Sequence, residues 1–208
     1  MTIQTERTGL PDPARADVAV VRIRRGDGEP PFSIGHPIES QWPDGLVSFT
    51  GYTNENSWFS YEQWATEPEP DGSEFRLYRS GTRPDAPVPS SSAPGCIVLV
   101  SVEFDGPDED RLKRWVDLVF EALGDEKTPH PGGISAHFHL SEDCTRIANY
   151  AEWRSVADHI EAIESSGQGA VGKSPKFKDV KAFPGVVAGG FQRFRPVVHR
   201  TAGHSKES

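Results

Sequence analysis

The sequence predicts an α+β fold built from two tandem units of unequal completeness, and three observations carry that prediction. The 208-residue chain repeats itself. The stretch from Pro43-Asp44-Gly45-Leu46-Val47-Ser48 to Tyr61-Glu62-Gln63-Trp64 reads like the stretch from Pro131-Gly132-Gly133-Ile134-Ser135-Ala136 to Tyr150-Ala151-Glu152-Trp153. Each copy is followed by an aromatic and basic segment, Phe75-Arg76-Leu77-Tyr78-Arg79 and Phe191-Gln192-Arg193-Phe194-Arg195. A repeat of roughly 90 to 100 residues is too long for a solenoid unit and fits a small domain. The second observation is a run of strand and helix periods in the second copy. The third is a break between the copies, where Pro84, Pro87, Pro89, Pro94 and Ser90 to Ser92 suit neither helix nor ladder.

The elements follow in order. Residues 1–16 carry Pro11 and Pro13 without periodicity and are expected to be disordered. A degenerate first unit, 17–80, keeps a strand at Val18 to Arg24, a hairpin from Leu46 to Trp64 and a strand from Glu74 to Arg79. Pro30, Pro31, Pro37 and Pro43 between its first two strands, and the short proline-rich stretch Glu67 to Gly72, leave no room for full helices. Residues 81–95 are read as a linker, and 96–199 as the complete second unit.

In that second unit Ile97 to Phe104 is β-branched and suited to a buried strand. Leu112, Trp115, Val116, Val119, Phe120 and Leu123 recur at helical spacing between Pro107 and Gly124. Gly133 to Leu140 and Thr145 to Trp153 alternate as the arms of a hairpin. Ser155 to Ser165 places Val156, His159, Ile160 and Ile163 on one side of a second helix, and Gly190 to Val198 closes the unit. The order β-α-β-β-α-β is the ferredoxin-like arrangement. Residues 200–208 are expected to be a disordered tail.

Composition narrows the function classes. A net charge of −9 with no basic run argues against nucleic acid as a partner, since that affinity comes largely from Lys and Arg on phosphates. The longest apolar stretch, Cys96 to Val102, is far short of the ~20 residues that span a bilayer, and Met1 to Asp17 is not signal-like. A cytoplasmic protein with no membrane partner is expected. Cys96 and Cys144 read as reduced thiols, and dinucleotide, Walker, Gly-x-Ser-x-Gly and Cys-x-x-Cys motifs do not occur.

The segment from Gly133 to Ser155, with Asn149, Tyr150 and Trp153 at its centre, resembles the central hairpin of the antibiotic biosynthesis monooxygenase family. That resemblance covers residues 96 to 198 well and 17 to 80 more weakly. It implies a fused tandem form, as in aromatic polyketide pathways, in which two ferredoxin-like units complete one α+β barrel within a single chain. It further implies a cofactor-independent monooxygenase that uses molecular oxygen as co-substrate to turn a polycyclic aromatic anthrone or phenol into a quinone. A polyketide cyclase or ring-modifying protein, or a non-catalytic polycycle binder, is the alternative on the same fold.

Strand alternation puts Asn149 and Trp153 on one face, roughly 13 Å apart at ~3.3 Å per residue, enough to bracket a flat ligand. The resemblance makes this pair catalytic, with Asn149 hydrogen-bonding a substrate oxyanion or peroxide and Trp153 against the rings. Ser101 stands nearest to a family asparagine on the first strand, and Ser60 and Trp64 occupy the matching places in the first copy. Ser101, His137, His139 and Trp64 are the expected substrate-binding residues, and the second half is expected to hold the active cavity. His137 and His139, at i and i+2 with Glu142 close behind, also have the composition of a metal set. No metal is expected there, and the pair is read as cavity-lining or as bases for a phenol. Arg76, Arg79, Arg193 and Arg195 are read as strand residues pointing outward, one of them within reach of a substrate oxygen. Covalent duplication removes the need to dimerise for a barrel, while the outer surfaces leave homo-oligomer formation open.

Overall fold

The computed structural model describes residues 4–6, 10–32, 42–83 and 94–202. Most of the expected linker and tail lies outside them. The chain divides into two compact units, Met1–Arg76 with Phe194–Ser208, and Leu77–Arg193. The division falls inside two strands, β5 and β9 below, rather than in the proline-rich stretch.

The second unit contains β6 (Cys96–Phe104), α1 (Glu109–Gly124), β7 (Gly133–Ser141), β8 (Arg146–Trp153), α2 (Val156–Ser166), a short α3 (Lys176–Lys181) that the sequence did not announce, and the first part of β9 (Val186–Thr201). Its strands run β7-β8-β6-β9, the ferredoxin-like order. β6 is apolar on both faces because neither is solvated, so a near-continuous Ile97-Val98-Leu99-Val100 run replaces alternation. Leu112, Trp115, Val116, Val119 and Ala122 form the buried stripe of α1, each large side chain contributing about 1.5–3 kcal/mol of burial. Asp108 caps that helix by accepting the Arg111 N–H at 2.8 Å. α2 starts at a reciprocal cap in which Ser155 Oγ accepts the Asp158 N–H at 3.1 Å and donates to the Asp158 carboxylate at 2.5 Å. It ends at Gly167, whose φ of 67° is the left-handed conformation a helix stop favours. Hydrogen bonds from Arg154, then from Ser155, hold the Asp158 carboxyl down at about 2.

The first unit contains β1 (Gln4–Glu6), β2 (Val20–Asp27), β3 (Leu46–Thr53), β4 (Ser57–Trp64), the start of β5 (Glu74–Thr82) and the end of β9. The order β3-β4-β2-β5 repeats that of the second unit. The chain is therefore a tandem ferredoxin-like α+β protein. Among the described residues this unit has strands and no helix.

Loop aromatics pack on the sheet face that carries Ser60 and Trp64. Phe32 meets Phe49 and Trp58 edge-on at 5.6 and 5.7 Å, and Trp42 joins the same buried cluster. Gly51 lies directly under the Phe32 ring, where any Cβ would collide with it. Part of the N-terminal segment is paired. Gln4–Glu6 pair with Thr201–His199, and the Asp12 carbonyl accepts Gln63 Nε2–H at 2.7 Å. Sequence polarity hid this pairing because a lone strand borrows its register from a partner.

Among the described residues no helix is long and apolar enough to cross a membrane.

Candidate active site

The second unit encloses a cavity of about 880 Å³ between one face of its sheet and its helices, within the range of small-molecule sites. Sheet register decides what faces it. Asn149 lies opposite Val100 on β6 and Phe138 on β7, and Ala151 lies opposite Val98 and Ala136. Directly opposed residues share a face, so Val98, Val100, Val102, Ala136, Phe138, Asn149, Ala151 and Trp153 line the cavity together. From α1 come Trp115, Val119, Phe120 and Leu123, and from α2 His159 and Ile163.

Polar groups on this apolar wall are few, and their orientations follow from their bonds. Asn149 is 8% exposed, and its Oδ1 accepts the His137 backbone N–H at 3.1 Å. Its carbonyl is thus turned to the strand, and its Nδ2 hydrogens, which meet no acceptor among the described residues, are left for the cavity. Trp153 is held between His130 at 6.0 Å and the edge of His159 at 4.8 Å. His159 Nδ1 accepts Arg193 Nε–H at 2.8 Å, so its proton sits on Nε2. The remaining described lining side chains that carry a polar proton or charge are Thr82, Arg83, His130, Ser135 and Lys181, with Trp115, whose Nε1–H is given to the Val180 carbonyl at 3.1 Å. Among the described residues no Asp or Glu side chain lines this cavity. The site can therefore stabilise negative charge on a ligand far better than positive charge.

Ser101, His137 and His139 are not brought to this cavity. Ser101 lies opposite Ala148, and His137 opposite Tyr150, on the other face of the sheet. His137 is tied by Nδ1 to Ser80 Oγ at 2.9 Å and by Nε2 to Ser135 Oγ at 3.0 Å, and Ser135 donates to Glu152 at 2.7 Å. Fully buried His139 turns Nδ1 to the Ala148 carbonyl at 3.3 Å. Trp64 belongs to the first unit's core. It is 8% exposed, with its Nε1–H on Glu62 at 3.2 Å and the Arg22 guanidinium 5.5 Å from its ring.

His159 is the functional candidate that sequence reasoning passed over, and Arg193 is one of four arginines among which it made no choice. The helical period does place His159 on the inward side of α2, but it cannot tell a cavity wall from a filled core. Arg193 turns toward α2 rather than to solvent. Arg79, by contrast, bonds Asp117 at 2.7 Å, and Arg76 bonds Glu67 at 2.7 Å.

Burial, reinforced by His137, depresses the His139 imidazole to about 3, and burial with Arg193 depresses His159 to about 4. Both stay neutral in the folded protein where the unfolded chain already takes up protons, below about 6.5. Stability should therefore fall as pH drops from about 6.5 toward 4, by about 1.4 kcal/mol per pH unit for each proton. Below its folded value each histidine adds no further loss. Urea unfolding at pH 7, 5.5 and 4.5 reads this slope, and His139→Gln should flatten it. A midpoint that ignores pH over this range would contradict the assignment.

No family model matches the sequence. Over 68 residues it is 40% identical to tetracenomycin-F1 monooxygenase of Streptomyces glaucescens, a match spanning 33% of this chain and 59% of that protein. An anthrone oxidase-like protein shares the fold with a TM-score of 0.57 at 14% identity, over 89% of this chain and 93% of the other. A ferredoxin-fold protein of Listeria monocytogenes related to antibiotic biosynthesis monooxygenases shares it with a TM-score of 0.51 at 12% identity, over 88% and 94%.

Proposed function

We propose that the chain is a member of the antibiotic biosynthesis monooxygenase family, a reading supported by its 40% identity over 68 residues to tetracenomycin-F1 monooxygenase, and that it is a cofactor-independent monooxygenase of secondary metabolism that oxidises a polycyclic aromatic polyketide. The reaction converts an anthrone or phenol into a quinone with dioxygen as co-substrate. The observation that carries this reading is the wall of an apolar cavity with Asn149 Nδ2–H left for its interior and no carboxylate among the described lining side chains.

Such a wall favours the ionised substrate. An anthrone CH₂ is acidic because its anion is delocalised onto the ring oxygen, and a fixed N–H beside that oxygen lowers its pKa further. The proton leaves to solvent, and the electron-rich anion passes one electron to dioxygen. The two radicals combine into a C–O bond, and the peroxide takes up a proton. Loss of the second C–H proton with cleavage of the O–O bond then gives the ketone and water, so CH₂ and O₂ become C=O and H₂O. Asn149 holds the oxyanion, and Trp153 packs against the rings as the second catalytic residue. Apolar Val98, Val100 and Phe138 keep the anion poorly hydrated. A cytoplasmic setting belongs to the same proposal and agrees with two free cysteines.

The test is oxygen uptake by purified protein with an anthrone of three or four fused rings, aerobically and under argon. Equimolar oxygen consumption and a quinone product are expected. Turnover that persists under argon would replace this reading with a ring-modifying activity, and tight binding without conversion would replace it with a polycycle carrier.

A further inference from the structure

Three features outside the Asn149 and Trp153 pair invite a role: the Ser80, His137, Ser135 and Glu152 chain, the exposed apolar side chains Val187 and Phe191, and the bond between Arg193 and His159. The first reaches the cavity only at Ser135, whose hydroxyl proton is already given to Glu152, while His137 lies on the other face of the sheet. The second has nothing to say what would cover it. The third is both within the cavity wall and chemically directional.

We infer that His159, oriented by Arg193, is a second donor to substrate oxygen at the Trp153 end of the cavity, so that the substrate carries oxygen atoms toward both ends of a linear fused-ring system. The inference rests on the proposed polycyclic substrate and extends it. His159 lines the cavity and stands edge-on to Trp153 with ring centroids 4.8 Å apart. Asn149 sits four residues back along β8, roughly 13 Å away at the rise of an extended strand. One donor at each end fixes the long axis of a flat ligand, which a single donor and a stacking ring leave free to slide.

Direction comes from Arg193. A guanidinium Nε–H can only donate, so the His159 Nδ1 in contact with it at 2.8 Å must be the acceptor and Nε2 must bear the hydrogen. Nε2 has no partner among the described residues and is not an enclosed atom, which leaves it for the cavity. Burial opposes protonation of the ring, and the same cation adds to it, so His159 remains a neutral donor down to about pH 4. The other charged or titratable groups around it are Asp158, paired with Arg154, on its own helix, and His130 beyond Trp153. Arg193 is thus a positioning residue, and His159 is the group that meets substrate.

The test uses two oxidation-resistant probes, 2,6-dihydroxyanthraquinone with a hydroxyl at each end and 2-hydroxyanthraquinone with one, titrated by fluorescence quenching. The wild type should bind the diol more tightly by between about two- and tenfold, the worth of one added hydrogen bond. His159→Phe should erase that preference and His159→Gln, which keeps a donor, should restore part of it. Nitrogen-15 NMR of the wild type should show the Nε2–H tautomer. In Arg193→Met it should show mixed tautomers and titration closer to 6.5, with a diol preference that now changes with pH across that range. A preference that survives in His159→Phe, a wild type with none, or an Nδ1–H tautomer would each overturn the inference. Because neither probe is turned over, a missing oxygenase activity cannot imitate these outcomes.

Discussion

Asn149→Asp should lower kcat toward an anthrone by about 10²–10³-fold, the loss typical of one removed oxyanion donor. The substitution keeps the shape of the side chain and the oxygen that accepts the His137 N–H at 3.1 Å. What it removes is the Nδ2 donor, putting a carboxylate oxygen where the substrate anion should sit. Asn149→Ala is the less informative variant, since it also strands a buried backbone N–H at a cost of about 1–3 kcal/mol. The aspartate enclosed by Val100, Phe138 and Trp153 should have a raised pKa, so lowering the pH should restore part of the rate by restoring a donor. Circular dichroism checks that the fold is kept. Turnover within threefold of wild type at pH 8 would remove Asn149 from the mechanism.

Arg22→Met should destabilise the first unit by about 3–5 kcal/mol, a large share of an ordinary domain's stability. Arg22 Nε and Nη2 donate to Glu74 Oε1 at 3.0 and 2.8 Å, with the two side chains only 7% and 8% exposed. Glu74 also accepts the Asp71 and Gly72 N–H groups at 3.0 and 2.9 Å, and Arg22 bonds the Glu69 carbonyl. The pair therefore clamps the 69–74 turn onto β2. Removing the cation leaves a buried carboxylate without its counter-charge, which costs far more than the pair contributes. Arg22→Met with Glu74→Leu should recover most of the loss, and Arg76→Ala, whose partner Glu67 is 74% exposed, should cost under about 1 kcal/mol. Urea unfolding of the four proteins separates these cases. A single variant as stable as the double would show that the clamp carries no buried charge penalty.

Apart from α3, the strand and helix order of the second half was legible from local pattern: α1 repeats its apolar residues every three or four positions, and β6 is a β-branched apolar run. The tandem character was legible in the two matching hairpins. Boundaries were less so. β9 starts at Val186, ahead of the expected Gly190, because Gly189 and Gly190 carry no side chain to reveal an alternation. In the first half the prolines are consistent with strands and no helix among the described residues, but the loop rings that pack on its sheet, Phe32 and Trp42, could not be read from the sequence.

The sequence by itself determined that Asn149 and Trp153 share a face, since alternation along one strand is a local property of the backbone. It likewise determined that His137 and His139 share one. Whether these two faces are the same was decided only by the tertiary structure, through the pairing of Phe138 with Asn149 and the register shift between Gly133 and Ser135. That pairing sends the histidines away from the cavity. Joining His159 to Arg193 across 34 positions, and separating a cavity wall from a packed core, likewise required the folded chain. Periodicity gives a side chain its direction, while what it meets there depends on a segment remote in sequence.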